Sequence, residues 1–129
     1  MTARVKPDVM LLKAILPDTI RELEDGFVLH RLDQATDRAD FLSTVGPFIR
    51  GLAVGGQAPA GADLLEHLPN LEIISNFGVG YDTIDIEAAK RLGVIVMNTP
   101  DVLTEEVADL ALGLLLATVR CVPQADRHL

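Results

Sequence analysis

The chain of 129 residues is the size of one ordinary domain, long enough to bury roughly two-thirds of the surface its unfolded form exposes. Hydrophobic residues make up 49% of it and aromatics only 4%, so the core must be aliphatic, as in a sheet covered by helices. A net charge of −8 without clustered Lys or Arg argues against nucleic acid as a partner, and one cysteine (Cys121) with three scattered histidines excludes an internal disulfide and a metal cluster.

The first residues, "MTARVKPDVM", carry no apolar leader, and together with the cysteine usage they lead us to expect a cytoplasmic protein. Short aliphatic runs then recur between stretches of helical spacing. The first strand is expected at Asp8–Lys13. A helix follows over Pro17–Gly26, with Thr19 and Glu22 in capping-box spacing and Gly26 as its stop. The second strand is expected at Phe27–Leu32, and a weaker helix follows, interrupted by Gly46 and Pro47. The third strand, Gly51–Gly55, leads to a helix with Leu64, Leu65 and Leu68 on one face. The fourth is Leu71–Phe77. After it, Asp85 should cap a helix whose Ile86, Ala89 and Leu92 point inward and which Gly93 ends. The fifth strand is Val94–Asn98. A last helix, Thr104 to about Cys121, takes Thr104 as its N-cap, with Glu105 and Glu106 in the first turn. Its apolar stretch, Val107–Val119, holds Asp109 and is too short to span a membrane, so it is expected to be buried.

Five β-α units predict a doubly wound, five-stranded parallel sheet of the flavodoxin-like α/β class, with ligands at the carboxyl ends of the strands. That rule selects the loops at Ala14–Leu16, Gly55–Pro59, Gly78–Asp82 and Thr99–Leu103. The third loop, in "SNFGVGYDTIDIEAAKRLG", superficially resembles a dinucleotide fingerprint. It follows the fourth strand instead of the first, and Thr83 occupies the position where a third glycine would let the helix pack closely. Asn98 stands where an acidic residue would read a ribose. Two readings of Gly78-Val79-Gly80 remain open from spacing: glycines that turn the chain with positive φ, or backbone amides that form a nest for a carboxylate.

Two blocks, "NFGVGYDTID" and "NTPDVLTEEVADLALGLLLA", resemble the N-terminal part of the D-isomer-specific 2-hydroxyacid dehydrogenases, in particular the glyoxylate, hydroxypyruvate and hydroxyphenylpyruvate reductase branch. The resemblance runs closely over residues 70–120 and fades before about Ile49. It implies that residues 1–129 form the N-terminal part of a flavodoxin-like substrate domain, and that the helix at about 104–121 leads toward a nucleotide-binding Rossmann domain beyond this sequence. Val79 and Gly80 match backbone amides that hold the substrate, Gly55 matches a further substrate-side position, and Thr104 matches a residue near the cofactor. The implied cofactor is NAD or NADP, with NADP slightly favoured. The implied partners are a small 2-oxoacid or 2-hydroxyacid and, for the whole enzyme, a second copy of itself.

The family's catalytic Arg, His and carboxylate match positions past Leu129, so the resemblance implies no catalytic residue here and no turnover by these residues alone. His30, His67 and His128 offer no replacement: they fall in a strand, on a helix and at the terminus. A phosphoacceptor receiver is excluded because "KAIL", "VGGQ" and "NTPD" lack its carboxylates and lysine, and "KAILPDT" is a poor flavin phosphate loop. The competing expectation is a regulatory domain that binds a small carboxylate without chemistry.

Overall fold

The computed structural model describes residues 6–127. Its five strands are β1 (Asp8–Leu11), β2 (Val28–Arg31), β3 (Ile49–Gly55), β4 (Ile73–Phe77) and β5 (Ile95–Met97). All are parallel, in the order β2-β1-β3-β4-β5, the flavodoxin-like order expected from the sequence. The helices are α1 (Pro17–Gly26), α2 (Arg38–Val45), α3 (Ala62–Leu65), α4 (Ile86–Arg91), α5 (Thr104–Val119) and α6 (Val122–Asp126).

Topology dictates which face each helix covers. The chain moves one way from β1 to β2 and the other way through β3, β4 and β5, so right-handed crossovers put α1 on one face and α2, α3 and α4 on the other. The main core fills the second interface. Met10, Leu52, Val54 and Ile74 from the sheet meet Leu42, Leu64, Leu65 and Ala89 from the helices, all buried. Asp85 caps α4 through its carboxylate, which accepts from the Ala88 amide at 2.8 Å, and Gly93 ends the helix region with φ of +72°.

The α1 face is thinner. Thr19, Ile20 and Leu23 of α1 are only half-buried, and beside them an apolar groove of about 360 Å³ runs over Val9, Ala53, Ile73, Ser75 and Phe77. In a sheet of this order a helix following β5 would return over that face. Here α5 stands away from it. Every α5 residue except Ala117 is exposed, and Leu110, Leu112, Leu114, Leu115 and Leu116 are 55–63% exposed. The expectation of a buried last helix is therefore wrong for this chain: the helix carries an apolar surface without the layer that would cover it.

Three local expectations also fail, each for a definite reason. Thr104 is the first helical residue and Leu103 the N-cap, with no side-chain capping bond. In α1 the residue before the helix is Leu16 and Pro17 fills the first turn, which places Thr19 too far inside to cap. By contrast, α1 does end at Gly26, as expected, with Phe27 following in extended conformation. Leu92 falls just after the last turn of α4 and is 51% exposed, while Ala88 takes the inward place.

At the carboxyl end of β2, Arg31 donates two hydrogen bonds to Asp33, at 3.0 and 2.7 Å. The bond from Arg31 is the main cause that holds the Asp33 carboxyl below its ordinary 3.8, against the opposing effect of desolvation. This pair is about one-fifth exposed (22% and 18%), and its geometry is bidentate. It contributes stability that is present above the ordinary carboxylate pKa and is lost as pH falls through the lowered one. Asp33→Asn should cost about 1 kcal/mol at pH 7, with the difference from wild type vanishing below the Asp33 pKa. Urea denaturation at neutral and strongly acid pH checks this; a penalty independent of pH would contradict it.

Candidate functional site

The carboxyl edge of the sheet gathers the residues singled out in the sequence. Gly55 ends β3 and is paired in register with Phe77, the last residue of β4. The Gly78-Val79-Gly80 loop leaves β4 beside it. Thr104 follows one strand further on, and the connector leading to it is bonded to the loop: the Thr99 amide donates to the Gly78 carbonyl at 3.1 Å.

The loop is organised through its carbonyls. Asn76, the one buried polar residue among those described, is only 3% exposed on β4. Its side-chain amide donates to the carbonyls of Gly78 and Gly80 at 3.2 and 2.8 Å. Asn98, just past β5, donates to the intervening Val79 carbonyl at 2.8 Å. Three consecutive carbonyls are thus drawn toward asparagine side chains and the β5 connector. The amides of Val79 and Gly80, by contrast, have no hydrogen-bond acceptor among the described residues, and both residues are exposed. Two adjacent free N–H groups at a strand end are suited to binding a small anion.

The glycines divide into two kinds. Positive φ among glycines occurs at Gly56 and Gly93, so the expectation that Gly78 or Gly80 turns the chain through a left-handed conformation fails. Gly55 is glycine for packing: the Ile15 side chain, from the loop after β1, occupies the space a Cβ would need. Gly80 has no such internal reason. A Cβ there would meet nothing nearer than the Asp82 carboxylate, at 3.7 Å, so the space above the loop is open toward solvent.

Sequence reasoning missed Asn76 as a functional residue and gave Asn98 only a negative role. The available signal was composition: Asn is disfavoured inside a strand, and "LEIISNF" places one in an otherwise apolar run. Of the histidines, His30 meets the Asp8 carboxylate at 2.7 Å; Asp8 opens β1 and so lies at the amino edge, opposite the loop. His67 bonds the Asp63 carbonyl at 2.7 Å on the far side of α3. His128 lies outside the described residues. Among the described residues no group of three or more His, Cys, Asp or Glu could hold a metal ion, and no helix is long and apolar enough to cross a membrane.

The start of α5 is acidic, with Asp101 before it and Glu105 and Glu106 in its first turn. The Thr104 amide is already directed at the Asp101 carbonyl, at 3.3 Å. These groups repel a diphosphate. The Thr104 hydroxyl is exposed and makes no hydrogen bond among the described residues.

A parallel sheet of this order with helices on both sides defines a flavodoxin-like α/β domain. The sequence profile of the D-isomer specific 2-hydroxyacid dehydrogenase catalytic domain matches residues 9–123, and the chain belongs to that family. It is 50% identical over 109 residues to glyoxylate/hydroxypyruvate reductase A of Arabidopsis thaliana, covering 83% of this chain and 34% of the plant protein. The 2-hydroxyacid dehydrogenase of Ketogulonicigenium vulgare Y25 superposes with a TM-score of 0.85 at 43% identity, over 95% of this chain and 38% of that one. An NADPH-dependent glyoxylate/hydroxypyruvate reductase of Sinorhizobium meliloti, solved with NADP and malonate, gives a TM-score of 0.74 at 42% identity, over 95% of this chain and 37% of that one. The chain spans about a third of the length of the curated relatives it matches.

Gly55→Ala should destabilise the domain by about 1–3 kcal/mol through overpacking against Ile15. In an Ile15→Ala background the same change should cost less than about 1 kcal/mol. Denaturant titration of the double-mutant cycle checks the contact; an undiminished penalty would assign the glycine requirement to something other than Ile15.

Proposed function

We propose that this chain is the substrate-side part of a cytoplasmic reductase that transfers hydride between NAD(P)H and a small 2-oxoacid of the glyoxylate or hydroxypyruvate type. The observation that carries this reading is the Val79–Gly80 loop: two exposed, unpartnered amides, on a chain that belongs to the 2-hydroxyacid dehydrogenases. In this role the amides hold the substrate carboxylate and Gly80 leaves room for it. The end of β3 at Gly55 forms the adjoining wall.

The nicotinamide cofactor supplies the hydride when bound. NADP is favoured over NAD because the S. meliloti relative is described as NADPH-dependent and was solved with NADP. This chain's share in binding the cofactor is small: Thr104 offers its hydroxyl, and the acidic start of α5 leaves the phosphates to another part of the enzyme. The exposed leucines of α5 fit the same division. They are consistent with residues 1–129 as the N-terminal part of the substrate domain, with the helix at about 104–121 leading toward a nucleotide-binding domain and its apolar surface packing against that domain and a second copy.

Catalysis then depends on groups that these residues do not place at the loop. The 129-residue chain, assayed with glyoxylate or hydroxypyruvate and NADPH, should show no turnover; measurable reduction would contradict the assignment. In the intact reductase, Gly80→Leu should raise KM for the 2-oxoacid by about tenfold or more while cofactor affinity stays within about twofold, the pattern of a lost ground-state contact. Equal losses in both would return the loop to a purely structural role.

A further inference from the structure

We propose that Asn98 is a positioning residue that sets the direction of the Gly80 N–H group toward the bound carboxylate; this rests on the carboxylate reading of the loop. In a trans peptide the C=O of one residue and the N–H of the next lie in one plane and point in opposite directions. Every described peptide bond is trans. The Val79 carbonyl and the Gly80 N–H therefore form one rigid unit, and so do the Gly78 carbonyl and the Val79 N–H.

The two units are anchored differently. The Gly78 carbonyl accepts from the Thr99 amide at 3.1 Å and from the Asn76 side chain at 3.2 Å. The Val79 carbonyl accepts from Asn98 alone, at 2.8 Å. Hence the peptide unit that carries the Val79 N–H is anchored by two bonds to its carbonyl, and the unit that carries the Gly80 N–H by one. A peptide plane between Val79 and glycine has little steric resistance to rotation. Without Asn98 it is free to turn, replacing a donor with a carbonyl oxygen that would repel a carboxylate.

Asn98 also lies immediately before Thr99, the first residue of the connector to α5. The direction of the Gly80 amide is thus set by Asn98 alone, at the start of the segment that leads out of the domain, whereas the direction of the Val79 amide is set twice, by the Thr99 amide of that segment and by Asn76 of the sheet. Asn98 is itself half-buried. Removing its side chain leaves the Val79 carbonyl within reach of water, so the fold should persist.

The test is a titration of the 129-residue chain with malonate, the dicarboxylate bound in the S. meliloti relative, followed through backbone amide NMR signals. In the wild type the Val79 and Gly80 signals should shift together and saturate. In Asn98→Ala, with signals elsewhere unchanged, the affinity should fall about fivefold, as for loss of one oriented hydrogen bond. The Gly80 response should shrink far more than the Val79 response. Asn98→Gln, which keeps an amide donor on a longer arm, should recover part of the Gly80 response, and it serves in place of Asn98→Ala if that variant loses its fold. A wild type whose loop amides ignore malonate would overturn the carboxylate reading itself. A wild type that binds while Asn98→Ala binds equally well, with the two amides responding alike, would overturn only the role of Asn98.

Discussion

The fold of the Gly78-Val79-Gly80 loop rests first on Asn76. A buried side-chain amide in an aliphatic strand costs free energy unless both its donors are used, and the pair of loop carbonyls at Gly78 and Gly80 uses them. That requirement has a structural consequence two residues away. A glycine-rich loop, which has much conformational freedom to lose, is folded back over the strand that precedes it, with its carbonyls inward. The outward amides follow from the inward carbonyls. A sheet core built for stability thus presents a polar edge suited to binding.

The same economy explains the two faces of the sheet. On the α2, α3 and α4 side, short helices with small or aliphatic inner residues complete a core, and the carboxyl-edge loops are held on a firm base. On the α1 side the groove over β3 and β4 stays open and α5 stands apart with its leucines exposed. An open apolar groove and an exposed leucine-rich helix face are features suited to an interface. Under the proposed function, these are the surfaces that would pack against a nucleotide-binding domain and a second copy.

Most of the fold was legible in the sequence, because alternating aliphatic runs and helical spacings are local signals. All five strands and the main helices lie where the pattern placed them, and Asp85 and Gly93 act as the cap and stop their residue types suggest. What was illegible depended on tertiary context. A leucine-rich helix reads as buried whether or not a layer covers it, and only the structure shows α5 standing clear. Thr104 and Thr19 have capping chemistry, yet the helix starts were fixed by neighbours, Leu103 in one case and Pro17 in the other. The loop glycines illustrate the limit best. Gly55, Gly80 and Gly93 are one residue type with three reasons: contact with Ile15, space left open, and positive φ. Spacing cannot distinguish them. Asn76 stood out as a polar residue in an apolar strand, but its partners and those of Asn98 are carbonyls, which leave no mark in a sequence.

The central claim is that the Val79 and Gly80 amides are the contact points for a small carboxylate. A crystal structure of the chain with malonate tests it directly. The account predicts a carboxylate oxygen within about 2.7–3.2 Å of both amide nitrogens, with the Gly78, Val79 and Gly80 carbonyls still held by Asn76 and Asn98. Malonate bound elsewhere, with the loop amides turned inward or facing only solvent, would contradict it.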